Sequence, residues 1–231
     1  MSDILQLRYG KGTLECPSPP EPYDLIEARI PQPDDDPVGL LGRALDQPVS
    51  SPAFEGLFGP GDSIGIIVPD VTRYSGVEHI LPELLNRLGV CGIRESQIEV
   101  LFALGIHRSQ TREEQEEIVG SEVAARIALF DHSSDQSSCR HLGTTSRGTP
   151  VEISLRALAK SKLLLIGTIT FHYFAGFGGG RKLILPGIAS AHSCAANHLL
   201  VLAESGRHPG VGPARLDQNP VHLDCSANHR L

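Results

Sequence analysis

Ser63-Ile-Gly-Ile-Ile-Val68 places, after one serine, five residues in a row with no polar side chain. A short apolar run of this kind is the mark of a strand buried on both faces, as in a parallel sheet covered above and below. It stops at Pro69-Asp70-Val71-Thr72-Arg73. Val77 to Leu88 then carries apolar residues at 80, 81, 84, 85 and 88, a helical period that closes at Gly89. The alternation continues. Gln97 to Leu104 reads as a strand ending at Gly105-Ile-His-Arg108, and Thr111-Arg-Glu-Glu114 has the form of a capping box opening a helix to about Val119. A helix over 121–127, a strand over 128–131, a hairpin of 140–145 with 150–154, and a helix over 155–160 follow. Lys162 to Thr168 reads as a third buried strand, and 189–202 as a helix.

Strands alternating with helices predict an α/β fold: an open, mostly parallel sheet with helices on both faces. An irregular N-terminal segment precedes it, with a hairpin of 5–9 and 13–16 around Gly10-Lys-Gly12, a short helix over 40–45, and proline-rich stretches. After Glu204 the chain turns polar and rich in proline and glycine, with no obvious closing element. The expected division is 1–60 as a segment packed on the main domain, 61–204 as the α/β domain, and 205–231 as the start of a linker.

Composition narrows the class. With 20 Lys and Arg against 27 Asp and Glu the formal charge is −7, which argues against a nucleic-acid or membrane-surface binder. At 40% hydrophobic and 20% charged, the chain can bury a core. No apolar run approaches the roughly 18–20 residues of a membrane span. The opening Met-Ser-Asp-Ile-Leu-Gln has neither the basic stretch nor the apolar core of a signal peptide, so a cytoplasmic protein is expected. Five scattered cysteines with no Cys-x-x-Cys pair suit reduced thiols and exclude a disulfide scaffold.

Ligands of open parallel sheets bind beyond the carboxyl ends of the strands. Asp70 and Arg73, His107 and Arg108, and His172 each follow a predicted strand directly, so three strand ends bring polar chemistry to one rim. Gly176-Phe-Gly-Gly-Gly-Arg-Lys182 invites a nucleotide reading but fails both familiar patterns. A P-loop needs Gly-Lys followed by Ser or Thr, whereas Arg181 separates Gly180 from Lys182 and Leu183 follows. The dinucleotide fingerprint started at Gly176 needs glycine where Arg181 stands. Backbone amides of Gly178, Gly179 and Gly180 could still converge on an anion beside Arg181 and Lys182; a plain tight turn explains the same residues.

Taken in order, Asp70-Val-Thr-Arg73, Gly105-Ile-His-Arg108, Phe171-His172, Ala175 to Lys182, Pro186-Gly187 and Asn197-His198 resemble the nickel-pincer lactate racemase family. The likeness runs from about residue 60 to 200, with a fainter echo in Asp217-Gln-Asn-Pro-Val221. The resemblance implies a racemase or epimerase of 2-hydroxy acids, working with a nickel complex of a pyridinium mononucleotide. It assigns the covalent attachment of that cofactor to Lys182, a nickel ligand to His198, and alternating acid–base roles to His107 and His172. Arg73 would bind substrate with Asp70 as its orienting partner, and Gly178, Gly179, Gly180 and Arg181 would seat the cofactor phosphate. The α-hydrogen of a 2-hydroxy acid is a poor acid, so departure as hydride to a cofactor is the easier route, with histidines near neutral pKa serving the hydroxyl proton.

The resemblance also implies a second, C-terminal α/β domain, in cis or in trans, that completes the cleft. This chain is expected to end about where the connection to it begins. The competing expectation is a non-catalytic remnant that binds a nucleotide or phosphate without turnover. His192 rivals His198 as nickel ligand but fits the spacing less well. His79, His132, His141, His208, His222 and His229 read as surface residues or as satisfied by one backbone bond. Arg108 reads as structural or phosphate-facing, and Glu113 to Glu117 as a solvated helix face.

Overall fold

A computed structural model describes residues 4–10, 12–20, 24 and 36–227. The chain divides into two units, 1–35 and 36–231. In the first, β1 (Ile4–Tyr9) and β2 (Gly12–Pro17) pair antiparallel with Tyr9 opposite Gly12. Gly10 turns the chain at φ +57°, where a side chain would be strained.

The second unit opens with α1 (Pro37–Asp46), whose Asp36 cap accepts from the Gly39 amide. A 3₁₀ turn at Phe54–Leu57 follows and drops Phe54 into the core. Then come β3 (Ile64–Pro69), α2 (Val77–Val90), β4 (Ile98–Ala103), α3 (Arg112–Val119), α4 (Ser121–Arg126) and β5 (Ala128–Asp131). The hairpin of β6 (Cys139–Thr144) and β7 (Pro150–Ser154), the short α5 (Leu155–Leu158) and β8 (Lys162–Leu165) complete the layers. Thereafter β9 (Phe171–His172) pairs with β10 (Gly176–Phe177), a 3₁₀ turn spans Gly180–Leu183, and α6 covers Ala191–Leu199. β11 (Leu202–Ala203) pairs with β12 (Gly206–Arg207), and α7 (Pro220–Ala227) is the last described element.

Four parallel strands form the sheet in the order β5-β4-β3-β8. All six residues of β3 are buried because its two faces meet separate cores. Ile64, Ile66 and Val68, with Val100 and Phe102 of β4, pack against α2, α3 and α4. Ile67 and Leu101 point the other way, onto β7, α5, α6 and the turn around Leu183 and Leu185. Each fully buried isoleucine or valine contributes about 1.5–3 kcal/mol, so this central strand is the mechanical reference for everything its end carries. The α/β class, the parallel sheet and the covered faces all agree with the sequence pattern.

Two elements differ from it. β8 is an edge strand rather than a buried one: Leu163 and Leu165 are 36% and 40% exposed, and only Leu164 leans on the first core. Leu163 crosses directly over Gly65, where a Cβ would fall 2.8 Å from its Cδ2. Residues 205–227 carry β12 and end in α7. Asn219 and Asp224 there are fully buried, and Val221 packs with Ala175 and Val201.

Candidate functional site

The carboxyl ends of β3 and β4, the chain leaving β8, the 172–174 segment and residues from both ends of the 178–198 region surround a cavity of about 390 Å³. Asp70, Arg73, His107, His172, Lys182 and His198 all line it. Residues 128 positions apart in sequence thus converge, as the rule for strand ends in parallel sheets requires.

Asp70 follows β3 and is 4% exposed. Its Oδ1 accepts from the Thr72 amide at 3.1 Å and from Thr72 Oγ1 at 2.6 Å, an Asx-type turn that fixes the carboxylate. Its Oδ2 pairs with Nδ1 of His107, whose own amide donates to Leu104 O at 2.9 Å just past β4. The loops carrying the pair are tied together from behind. Gln110 Oε1 accepts from the Val71 amide at 2.7 Å, and Asp131 Oδ2 accepts from the Gln110 amide at 2.7 Å. Three strand ends are thereby locked in one register. Gln110 and Asp131 carry no sequence signal beyond the position of Asp131 at the end of a predicted strand.

His172 lies on β9, 8% exposed, with Nδ1 accepting from the amides of Phe174 and Ala175 at 3.1 Å each. Burial, together with the charges of Lys182, Arg73, His198 and Arg181, pushes its pKa down to about 4. His198 stands in the last turn of α6 against the edge of Phe174, their ring centroids 5.9 Å apart. Its pKa is lowered too, by burial first and then by Lys182.

Lys182 closes the 3₁₀ region from within. Its Nζ is buried and makes no hydrogen bond, and burial lowers its pKa, with Arg181 and Arg73 acting in the same direction. An amine whose pKa is lowered gives up its proton more readily than a surface lysine and is the better placed to act as a nucleophile.

The glycine run divides. Gly178 and Gly179 line the cavity, whereas Gly180 and Arg181 do not. The Gly178 amide is committed to Thr170 O at 2.8 Å, and a Cβ on Gly179 (φ +72°) would fall 2.9 Å from Thr168 O. Close passage along 168–170 accounts for these two glycines. Arg181 turns its Nη2 to Ala175 O at 3.1 Å and so braces the turn that follows His172.

The other histidines fall elsewhere. His192 faces the buried Glu152, 3.5 Å from Oε2, and does not line the cavity. His132 is buried with Nε2 2.9 Å from Ala189 O, but its buried Nδ1 makes no hydrogen bond, so the one backbone bond leaves the ring only half satisfied. His229 lies outside the described residues. Arg108 forms a two-pronged pair with Glu114 at 2.6 and 2.8 Å, and the Thr111–Glu114 capping box is present as expected.

A support unannounced by the sequence lies behind the 172–198 wall. Asn219 Nδ2 donates to Phe174 O at 2.7 Å, and Asp224 accepts from Asn197 Nδ2 at 2.8 Å and from Thr145 Oγ1 at 2.5 Å. The faint Asp217-to-Val221 echo contains Asn219 and is the one sequence trace of it. Among the described residues no three His, Cys, Asp or Glu side chains come together to hold a metal ion, and no helix is long and apolar enough to cross a membrane.

The sequence model of the lactate racemase N-terminal domain matches residues 9–210. A lactate racemase of Thermoanaerobacterium thermosaccharolyticum is 31% identical over 227 residues, covering 95% of this chain and 52% of the relative. One of Lactiplantibacillus plantarum is 35% identical over 183 residues, covering 79% and 42%. The solved lactate racemase apoprotein from the first organism superposes with a TM-score of 0.80 at 30% identity, over 99% of this chain and 53% of that one. A Thermotoga maritima crystal structure shares the fold alone, with a TM-score of 0.55 at 21% identity over 72% and 42% of the two chains. The chain spans about half the length of the curated relatives it matches.

Proposed function

The chain belongs to the lactate racemase N-terminal domain family, and from that premise we propose that it is the cofactor-bearing part of a nickel-dependent racemase or epimerase of 2-hydroxy acids. The observation that carries the reading is Lys182. A buried amine with no partner costs stability and persists where it serves chemistry, and this one shares a cavity with His198, His107, His172 and Arg73.

The residues fit the family's cofactor. Lys182 would hold it covalently and His198 would bind its nickel through an imidazole made basic only weakly by burial. With no protein cluster of three metal-binding side chains among the described residues, the remaining ligands would come from the organic group itself. A nickel-pincer pyridinium mononucleotide supplies, when bound, a reversible acceptor for the substrate's α-hydrogen as hydride.

The protein groups do the rest. Arg73 offers two parallel donors to the substrate carboxylate, a grip a lysine lacks. Asp70 fixes His107 so that its Nε2 is free to meet the hydroxyl group, and His172 stands in the same cavity to meet a second substrate oxygen. Loss of the hydroxyl proton with the α-hydride leaves a planar 2-keto acid, which can be reduced on either face. Exposed Tyr74, Ile106 and Tyr173, which line the cavity, support a further domain, in cis or in trans, that closes it and excludes water.

The test is peptide-mapping mass spectrometry on protein co-expressed with a cofactor-assembly pathway. A fixed mass increment on the Lys182 peptide is expected. An unmodified Lys182, with cofactor made in the same cells, would reduce the chain to a remnant without this chemistry.

A further inference from the structure

Two imidazoles face one cavity, and their inner nitrogens meet opposite kinds of partner. His107 Nδ1 meets the Asp70 carboxylate, which can only accept. That nitrogen therefore carries a proton in either charge state, and neutral His107 presents a bare Nε2. Asp70 cannot turn away, because Thr72 holds its other oxygen through two hydrogen bonds.

His172 is the reverse. Its Nδ1 sits 3.1 Å from the amide nitrogens of Phe174 and Ala175, and amides can only donate. That nitrogen must offer its lone pair, so neutral His172 carries its proton on Nε2. The turn that presents the two amides is anchored on both carbonyls: Asn219 Nδ2 donates to Phe174 O at 2.7 Å and Arg181 Nη2 to Ala175 O at 3.1 Å. The next residue is equally fixed, since a Cβ on Gly176 would fall 2.2 Å from Arg215 O. An imidazolium at His172 would thrust a second N–H at two N–H groups, in a buried position beside the basic groups Lys182, Arg73, His198 and Arg181, and burial and these groups depress its pKa.

We infer that the two histidines are locked in opposite neutral tautomers, so that the cavity presents a substrate oxygen with one acceptor, Nε2 of His107, and one donor, Nε2–H of His172. The role in a 2-hydroxy-acid reaction rests on the proposed function, but the tautomers do not.

Long-range ¹H–¹⁵N correlation spectra of ¹⁵N-histidine-labelled protein at neutral pH read the tautomers without any cofactor or turnover. The pattern expected for His172 is an unprotonated Nδ1 with a protonated Nε2, its signals vanishing in His172→Gln; for His107 it is the mirror image. Should that variant not fold, through-hydrogen-bond ¹⁵N–¹⁵N couplings from His172 Nδ1 to the Phe174 and Ala175 amides assign it in the unaltered chain. A proton on Nδ1 of His172, two protons on that ring, or averaging between tautomers would overturn the inference. Because the readout is on the protein alone, it stays separate from the fate of Lys182.

Discussion

The Asp70 carboxylate holds the His107 imidazole by Nδ1 across 37 residues of sequence, at the ends of two adjacent parallel strands. The pairing fixes which nitrogen of His107 faces the cavity. Asp70→Asn tests this sharply. The asparagine oxygen must stay on Thr72, which donates twice, so its NH₂ is left facing His107 Nδ1. The ring must then accept there and carry its proton on Nε2, the wrong nitrogen for a base. Racemisation by the cofactor-loaded assembly is expected to fall about 10²–10⁴-fold with the fold intact. Chiral chromatography of product, with a thermal melt as control, checks both halves.

Lys182 leads to a stability gain. Its Nζ is buried without a hydrogen bond, so in the cofactor-free protein it is a desolvated amine with nothing to offset the cost. Lys182→Met keeps most of the volume and removes the polar atom. The cofactor-free variant is expected to be more stable by about 1–3 kcal/mol, raising Tm by about 2–4 °C for each kcal/mol. A scan of the two cofactor-free proteins side by side decides it; an unchanged or lower Tm would mean the amine has found a partner.

What the sequence disclosed, and what it hid, follows from how each element is held. β3 was legible because burial on both faces leaves an unbroken apolar run, and the Thr111–Glu114 cap because its two partners are three residues apart. β8 looked like β3 in the sequence, yet its exposure is decided by where the sheet stops. α7 was invisible for a different reason. It is anchored by Asn219 and Asp224 through hydrogen bonds to distant residues, so a search for apolar periodicity finds nothing. The candidate residues of the cavity were placed by strand ends and by family likeness. The opposed hydrogen bonding of its two histidines appears only when the Phe174–Ala175 turn is built.

His172 makes stability depend on pH. Its folded pKa is about 4 against 6.5 for an ordinary histidine. Between those values the unfolded chain binds the proton and the folded protein does not, so stability rises with pH across the interval. The contribution is fully present above about pH 6.5 and is lost progressively as pH falls towards 4. It amounts to about 3 kcal/mol, and buried His132 shifts in the same direction. Urea midpoints at intervals from pH 7.5 to 4.5 are expected to decline, and to decline less in His172→Gln; parallel curves for the two proteins would refute the assignment.

Asp224 is fully buried and is the point where α7, α6 and the β6–β7 hairpin region meet. Both of its oxygens accept: one from Thr145 Oγ1, the other from Asn197 Nδ2, the residue before His198. Asp224→Asn puts an NH₂ where two donors already point, so one of the three groups is left without a partner in a site closed to water. The expected cost is about 2–4 kcal/mol, read as a lower urea midpoint with an unchanged slope. Ser226→Ala on the same helix is the control, because among the described residues Ser226 returns a bond to His222 O one turn back; it should cost less than about 0.5 kcal/mol. If the two substitutions cost the same, α7 is held by its contacts with Ala175 and Val201 rather than by the carboxylate. The link from α7 to the His198 wall would then be packing and not hydrogen bonding.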